Sequence, residues 1–466
     1  MKQPRFQVAS VVAATGARLM AGTPDLVLEG VSTDSRHVWP GALFVALRGP
    51  RYDGHDFVTS AVAAGARAVL VEPGTLSDYP PGCAVLEVDN TRTALARWAV
   101  AHRRQFGLPV VAVAGSNGKT STKNLLAAIL AQRGAVLASP QSFNNDLGVP
   151  LTLLQLEPHH WAAVLEVGTN HPGELRPLLE WIQPAYGIFT GVGREHLEFF
   201  GDLAGVAAEE GTLAELLPPE GVLVLNGDDS WAPAIAGRTS ARVVFAGMDG
   251  AADWRVVQVV VDWAGTRFRV EGPDPALVGG YQMRLLGRHQ ARNALLAMLM
   301  ARALGATRSD IYAGLSACKA APHRMEVHDF DGVRILDDSY NANPDSLRAA
   351  LETFCALPCR GRRIAVLGEM AELGSYSEQA HREAGRWAAE LGVAQLFVVG
   401  PSAGWIAAGA RAAGLMRVME FAQLEPLLEA LRQWARPGDT LLLKGSRRAG
   451  LDRLLAWWRK ETSRRG

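Results

Sequence analysis

The run Leu108-Pro109-Val110-Val111-Ala112-Val113-Ala114 leads directly into Gly115-Ser116-Asn117-Gly118-Lys119-Thr120-Ser121, and Thr122 to Gln132 then carries apolar residues at helical spacing. Strand, glycine-rich loop, lysine, hydroxyl and helix is the order that cradles a nucleoside triphosphate. Glycines let backbone N–H groups curl around phosphate oxygens, and a helix N-terminus adds partial positive charge. In that layout Lys119 reaches the terminal phosphates and the Thr120 hydroxyl suits Mg²⁺. The loop is a shortened version of the common motif, because the position five residues before the last glycine is Val113. A tight turn that binds nothing is the alternative. The flanking strand and helix are the context that phosphate binding requires.

Outward from this loop, strand and helix alternate over about 106–318: 108–114 then 119–132, 162–167 then 173–182, 186–192 then 203–217, and 221–225. Such alternation predicts an α/β domain with a mostly parallel sheet and helices on both faces. A polar, β-branched stretch at about 241–286 predicts further strands, and the helix Gln290 to Ala303 closes the domain. A second alternating block has strands at Val333 to Leu336, Arg363 to Leu367, Gln395 to Val399 and Thr440 to Leu443. Its helices are expected at Ser346 to Leu357 and Ser377 to Leu391, and KAAPHR at 319–324 reads as a linker. Residues 1–105 mix short apolar runs with Gly- and Pro-rich turns, as a small α/β domain would. Three domains are expected, at 1–105, 106–318 and 319–466.

At 466 residues the chain exceeds one ordinary core. Acidic and basic residues balance at 47 each, so no electrostatic case exists for a nucleic-acid partner. Apolar residues make up 48% of the chain but never approach the ~20 uninterrupted positions of a membrane span. The start, MKQPRFQVAS, lacks an apolar signal core, which predicts a cytoplasmic protein. Cys83, Cys318, Cys355 and Cys359 have no histidine at metal-finger spacing and read as reduced small hydrophobes. Basic charge is carried by arginine: the lysines are Lys2, Lys119, Lys123, Lys319, Lys444 and Lys460 alone.

Ligands bind beyond the carboxyl ends of strands in an open parallel sheet. Strand 162–167 carries Glu166 to that edge, where a carboxylate can bind Mg²⁺, and strand 186–192 leads to His196. After strand 333–336 comes Asp337-Asp338-Ser339-Tyr340-Asn341-Ala342-Asn343-Pro344-Asp345-Ser346, and after 363–367 comes Gly368-Glu369-Met370-Ala371-Glu372-Leu373-Gly374. Helix capping by Asp345 or Ser377 is the plain account of these segments, but their density of amides and carboxylates exceeds it. Arg324, in the linker, is placed to neutralise a phosphate or else is a solvated charge. In the first domain, Ser32-Thr33-Asp34-Ser35-Arg36 and Asp53-Gly54-His55-Asp56-Phe57 offer groups suited to a phosphate-bearing ligand. Ordinary turns explain them equally well.

These stretches together resemble the Mur ligase family, in order and over essentially the whole chain. The most specific are STDSR at 32–36, YDGHDF at 52–57, GSNGKTSTK at 115–123, SFNNDLGVPLTLL at 142–154 and EVGTNHPGE at 166–174. HLEFFGDLAGVA at 196–207, GRHQARN at 287–293, DDSYNANPDSLRAAL at 337–351, LGEMAELG at 367–374 and LLKGSR at 442–447 complete the set. DSYNANPDS and EMAELG resemble the branch that adds D-alanyl-D-alanine to a UDP-N-acetylmuramoyl tripeptide. The Asp-Asn-Pro-Arg motif of the diaminopimelate-adding branch is absent.

The resemblance implies a UDP-sugar domain, a central ATPase and a C-terminal Rossmann-like domain for the amine, acting as a monomer on small molecules with ATP and Mg²⁺. It implies that Gly115, Ser116, Asn117, Gly118, Lys119, Thr120 and Ser121 bind ATP phosphates and Asn293 the adenine, with Arg324 and Asp338 contacting the nucleotide. Lys119, Glu166, His196 and Arg324 would be catalytic. Thr120, Glu166 and His196 would hold or order Mg²⁺. Ser32, Asp34, Ser35 and Arg36 fall in the UDP segment, Asn144 and Asn145 face sugar and peptide, and Asn341 and Asn343 belong with the substrate. Most members also carry a carbamylated lysine in the helix after HLE as a further metal ligand, yet no lysine lies between Lys123 and Lys319. Glu210 stands at the matching position and is expected to supply the anionic oxygen directly; a solvated glutamate beside Glu209 is the alternative. A sister ligase for another amino acid or for folate, and a nucleotide-binding switch without ligase chemistry, stay open as rival readings.

Overall fold

A computed structural model of the chain describes residues 3–249 and 252–462. These divide into two compact units, one of residues 3–112, 134–168 and 176–185 and the other of 113–133, 169–175, 186–249 and 252–462.

In the first unit, the strands Val31–Ser32, Leu43–Val45, Ala68–Val71 and Ala84–Glu87 pair in parallel, and Arg18–Ala21 closes the edge antiparallel to Ala84–Glu87. Val136–Ala138 and Ala162–Glu166 form a further parallel pair. The strand Val110–Ala114 is divided between the units and buried at all five positions. A continuous apolar run is what a strand covered on both faces needs, since no side faces water.

In the second unit, Tyr186–Phe189, Val222–Asn226, Arg242–Gly247 and Trp254–Asp262 run parallel in that order. Gly265–Glu271 and Gly279–Met283 then continue the sheet antiparallel, so the β-branched stretch at 241–286 does form strands. The helix expected over 203–217 is two short ones, Leu203–Glu210 and Thr212–Glu215. The break falls at Gly211, beside which Arg238 Nη1 and Nη2 donate to the Ala207 and Ala208 carbonyls at 3.1 and 2.9 Å. After Arg288–Ala303 comes a helix the sequence reading missed, Arg308–Ala317, started by a capping box of Thr307 and Asp310.

The last sheet has Val333–Asp338, Thr440–Lys444, Arg363–Leu367, Gln395–Val399 and Val418–Phe421 in parallel, with Glu326–Phe330 antiparallel at its edge. Its apolar residues alternate between faces. Leu336, Ala365, Leu367 and Leu442 pack under the helices Pro344–Ala356 and Ser377–Glu390, while Ile335, Ile364, Val366, Leu441 and Leu443 pack against Leu427, Leu431 and Leu454. Each such buried leucine contributes about 2 kcal/mol. One sequence expectation is corrected here. Asn343, not Asp345, caps Pro344–Ala356: its side chain accepts from Ser346 N at 2.8 Å, and Ser346 Oγ accepts from Asn343 N. Ser377 caps nothing either, because its helix starts without a side-chain cap. No helix among the described residues is long and apolar enough to cross a membrane.

Candidate active site

The loop at 115–121 has the backbone its glycines predict. Gly115 sits at φ 110° with Thr190 Oγ1 2.5 Å from where a Cβ would be, and Gly118 at φ 88° with Asn293 Oδ1 at 2.8 Å. Any side chain at either position would be strained and would collide. Gly118 is also the N-cap of the helix Lys119–Leu130, with no side chain capping the first turn. A helix start of this kind presents N–H groups and partial positive charge to an anion.

Lys119 folds back into the loop. Its Nζ donates to the Gly115 carbonyl at 2.5 Å and the Ser116 carbonyl at 3.2 Å, and Glu195 Oε1 lies 3.6 Å away. Gly115 N donates to Glu210 Oε2 at 2.6 Å. Glu210 is only 1% exposed, which removes the solvated-glutamate alternative. Its neighbour Glu209 does the ordinary structural job, accepting from Gly173 N and Leu175 N at 2.8 Å each. Burial pushes the Glu195 carboxyl up to about 8, with the Glu210 charge adding to the effect and Lys119 opposing it. Burial likewise raises Glu210. Two carboxylates thus share one lysine in a dry corner, and Glu210 Oε1 has no hydrogen-bond partner among the described residues.

His196 lies at φ 51° and its Nδ1 meets Glu372 Oε2, which fixes the ring and leaves Nε2 as the second nitrogen. Burial lowers its pKa, against the pull of Glu372. A cleft beside the loop is lined by Gly118, Asn293, Arg324, Asp338, Asp345 and Lys444, among others. Lys444 Nζ donates to Asp338 Oδ2 at 2.7 Å and to the Asn341 carbonyl at 2.6 Å. Arg324 is half-buried, its guanidinium 4.2 Å from the centre of the Tyr340 ring, rather than a solvated charge. Asn343 Nδ2 donates to Asn117 Oδ1 at 2.9 Å. The fold therefore draws 117–118, 293, 324, and the pair 338 and 343 together from four separate stretches of sequence.

Thr120, buried, and Ser121 stand in the first turn of the helix Lys119–Leu130, while Ser32–Arg36, Asn144, Asn145 and Glu166 belong to the first unit. Asn144 Nδ2 donates to Glu166 Oε1 at 2.9 Å, and Glu166 is buried at the end of its strand. Asn145 Oδ1 accepts from Gly148 N at 2.9 Å, within its own turn. Asp34 pairs with Arg36 through two bonds of 2.9 and 2.7 Å, which hold its carboxyl well below the usual range. Ser32 Oγ donates to the Asp34 and His37 carbonyls, so Ser32–Arg36 is one locked turn, with Ser35 opening its 3₁₀ segment.

The chain is similar to known proteins along most of its length. Family descriptions match in chain order: "Mur ligase family, catalytic domain" at 27–103, "Mur ligase middle domain" at 113–301 and "Mur ligase, glutamate ligase domain" at 323–447. The UDP-N-acetylmuramoyl-tripeptide–D-alanyl-D-alanine ligase of Escherichia coli K12 is 37% identical, over 92% of this chain and 94% of that protein. The chain belongs to the Mur ligase family. The Bacillus subtilis ligase of the same name is 33% identical over 92% of this chain and 93% of its own. A crystal structure of MurF from Acinetobacter baumannii superposes with a TM-score of 0.87 at 29% identity, covering 98% of this chain and 99% of that one. MurF from Thermotoga maritima in complex with ADP gives 0.79 at 27% identity, covering 94% and 98%. Within this Mur ligase, sequence reasoning missed Lys444 in the cleft and Glu195 beside Lys119. Lys444 was findable, since a lysine at a strand end is conspicuous among six in the chain.

Proposed function

We propose that the protein joins D-alanyl-D-alanine to UDP-N-acetylmuramoyl tripeptide with ATP, releasing ADP and phosphate. The observation that carries this reading is the single cleft where the phosphate loop, Asn293 and the C-terminal groups Arg324, Asp338 and Lys444 meet. The terminal carboxylate of the tripeptide attacks the γ-phosphorus, ADP leaves, and an acyl phosphate forms. The dipeptide amine then attacks the acyl carbon, loses a proton, and the tetrahedral intermediate expels phosphate to leave the amide. Two anions must meet in the first step. Lys119 and Arg324 offset that repulsion, and Asp338 holds Lys444 in the cleft that Arg324 also lines.

We assign Mg²⁺ to Thr120, Glu166, His196 and Glu210. Glu210 suits a cation, because Glu195 and Glu210 outnumber the one ammonium beside them and Glu210 Oε1 is buried without a hydrogen bond among the described residues. Bound there, the ion would neutralise phosphate charge. Ser32, Asp34, Ser35 and Arg36 are assigned to the UDP moiety, Asn144 and Asn145 to sugar and peptide, and Asn341 and Asn343 to the amine side. Ser116, Asn117, Ser121 and the loop glycines hold the phosphates, and Asn293 the adenine. We keep the division at 1–105, 106–318 and 319–466, and a cytoplasmic monomer, as part of the same proposal.

A panel of amines tested for ADP formation with the UDP-muramoyl tripeptide decides the reading. Dipeptide-dependent release is expected; release driven equally by single amino acids, or by folate and glutamate, would replace it with a sister activity. Gly118→Ala is expected to weaken nucleotide binding at least about tenfold, from left-handed strain of about 1–2 kcal/mol plus the Asn293 collision. A titration with a fluorescent ADP analogue measures it.

A further inference from the structure

Three consecutive side chains after the strand Tyr186–Phe189 reach three different places. Glu195 goes to Lys119, His196 to Glu372, and Arg194 to the helices that cover the last sheet. The left-handed backbone at His196 turns the chain sharply enough for neighbours to diverge in this way.

Arg194 is the most heavily bonded of the three. Its backbone N donates to Asp345 Oδ2 at 2.7 Å, and Nε and Nη2 donate to Asp345 Oδ1 at 3.1 and 2.7 Å. Nη1 donates to Glu383 Oε2 at 3.0 Å, and the guanidinium lies 5.7 Å from the centre of the Trp387 ring. Asp345 stands in the first turn of Pro344–Ala356 and lines the cleft; Glu383 and Trp387 belong to Ser377–Glu390. An isolated surface ion pair contributes little, but a planar fork bound to two carboxylates with 31% of its side chain exposed is a geometric constraint. It also neutralises a carboxylate on the wall of a cleft meant for polyphosphate. In family terms it bolts the middle segment to the C-terminal one, 151 residues apart in sequence.

We propose that Arg194 is a positioning residue: it holds the C-terminal helices over the cleft so that the acyl phosphate is consumed by the amine and not by water. This rests on the ligase reading above. When the clamp fails, water attacks the acyl phosphate, the carboxylate and phosphate are regenerated, and ATP is spent without an amide bond.

The experiment measures phosphate released per amide formed, together with the dissociation rate of a fluorescent ADP analogue, in the full chain and in Arg194→Ala, Arg194→Lys and Asp345→Asn. The parent should release one phosphate per amide. Arg194→Ala should release more than two and free the ADP analogue about tenfold faster, with Arg194→Lys between, since lysine keeps charge but not the fork. A variant that merely folds less well loses turnover without changing the ratio. A ratio of one and an off-rate within twofold of the parent in both Arg194 variants overturns the proposal. If Arg194→Ala does not fold, the same two readouts in Arg194→Lys and Asp345→Asn decide between the outcomes. Should the parent show no dipeptide-dependent release, the ligase reading falls and the ADP off-rate alone decides Arg194.

Discussion

Lys119→Ala should cut dipeptide-dependent phosphate release by about 10²–10³-fold, the range seen when one preorganised charge-stabilising donor is removed. The ammonium already stands in the loop, donating to the Gly115 and Ser116 carbonyls, and has to redirect only an N–H to meet a phosphate. The same substitution leaves Glu195 and Glu210 in the dry corner without their cation. Both carboxyls are raised by burial, so the folded state holds protons that the unfolded chain releases near pH 4.5. Stability of that kind is present at low pH and lost as pH rises toward the folded-state pKa. Removing the lysine, which opposes the shift, extends the loss upward. Melting curves of Lys119→Ala should therefore keep falling above pH 8, where those of the parent level off. Parallel curves, or turnover within tenfold of the parent, would remove Lys119 from the centre of the site.

Glu210→Gln should reduce apparent Mg²⁺ affinity by about 10–100-fold, as metal-site substitutions commonly do. Glutamine keeps the volume and an oxygen for Gly115 N, so the loop should persist while the charge does not. Mn²⁺ titration followed by electron paramagnetic resonance reads this independently of turnover. The parent should also be indifferent to removal of CO₂ and bicarbonate, because no lysine lies between Lys123 and Lys319 to carry a carbamate. Unchanged Mn²⁺ binding in Glu210→Gln would leave the carboxylate a purely structural partner of Gly115.

Much of the last domain was legible because its strands repeat the rule of apolar alternation with polar segments at one end. The expected strands at 363–367 and 395–399 coincide with those observed. The helix after 203 was misjudged because its break falls at Gly211, against which the Arg238 guanidinium packs from another element. No local periodicity carries that information. Capping at 343 was missed for a different reason: Asn343 and Asp345 are both good caps by composition, and Pro344 at the first helical position, which favours Asn343, was not weighed.

The sequence by itself determined that a glycine-rich loop between strand and helix would exist and that two alternating α/β blocks would follow, because backbone sterics and burial periodicity are local properties. Only the tertiary structure decided who meets whom: Lys119 with Glu195, Lys444 with Asp338, His196 with a glutamate 176 residues away. Charge pairing inside a dry cleft depends on distances of a few ångströms between elements. Those distances are set by how sheets and helices pack, which spacing along a chain does not encode.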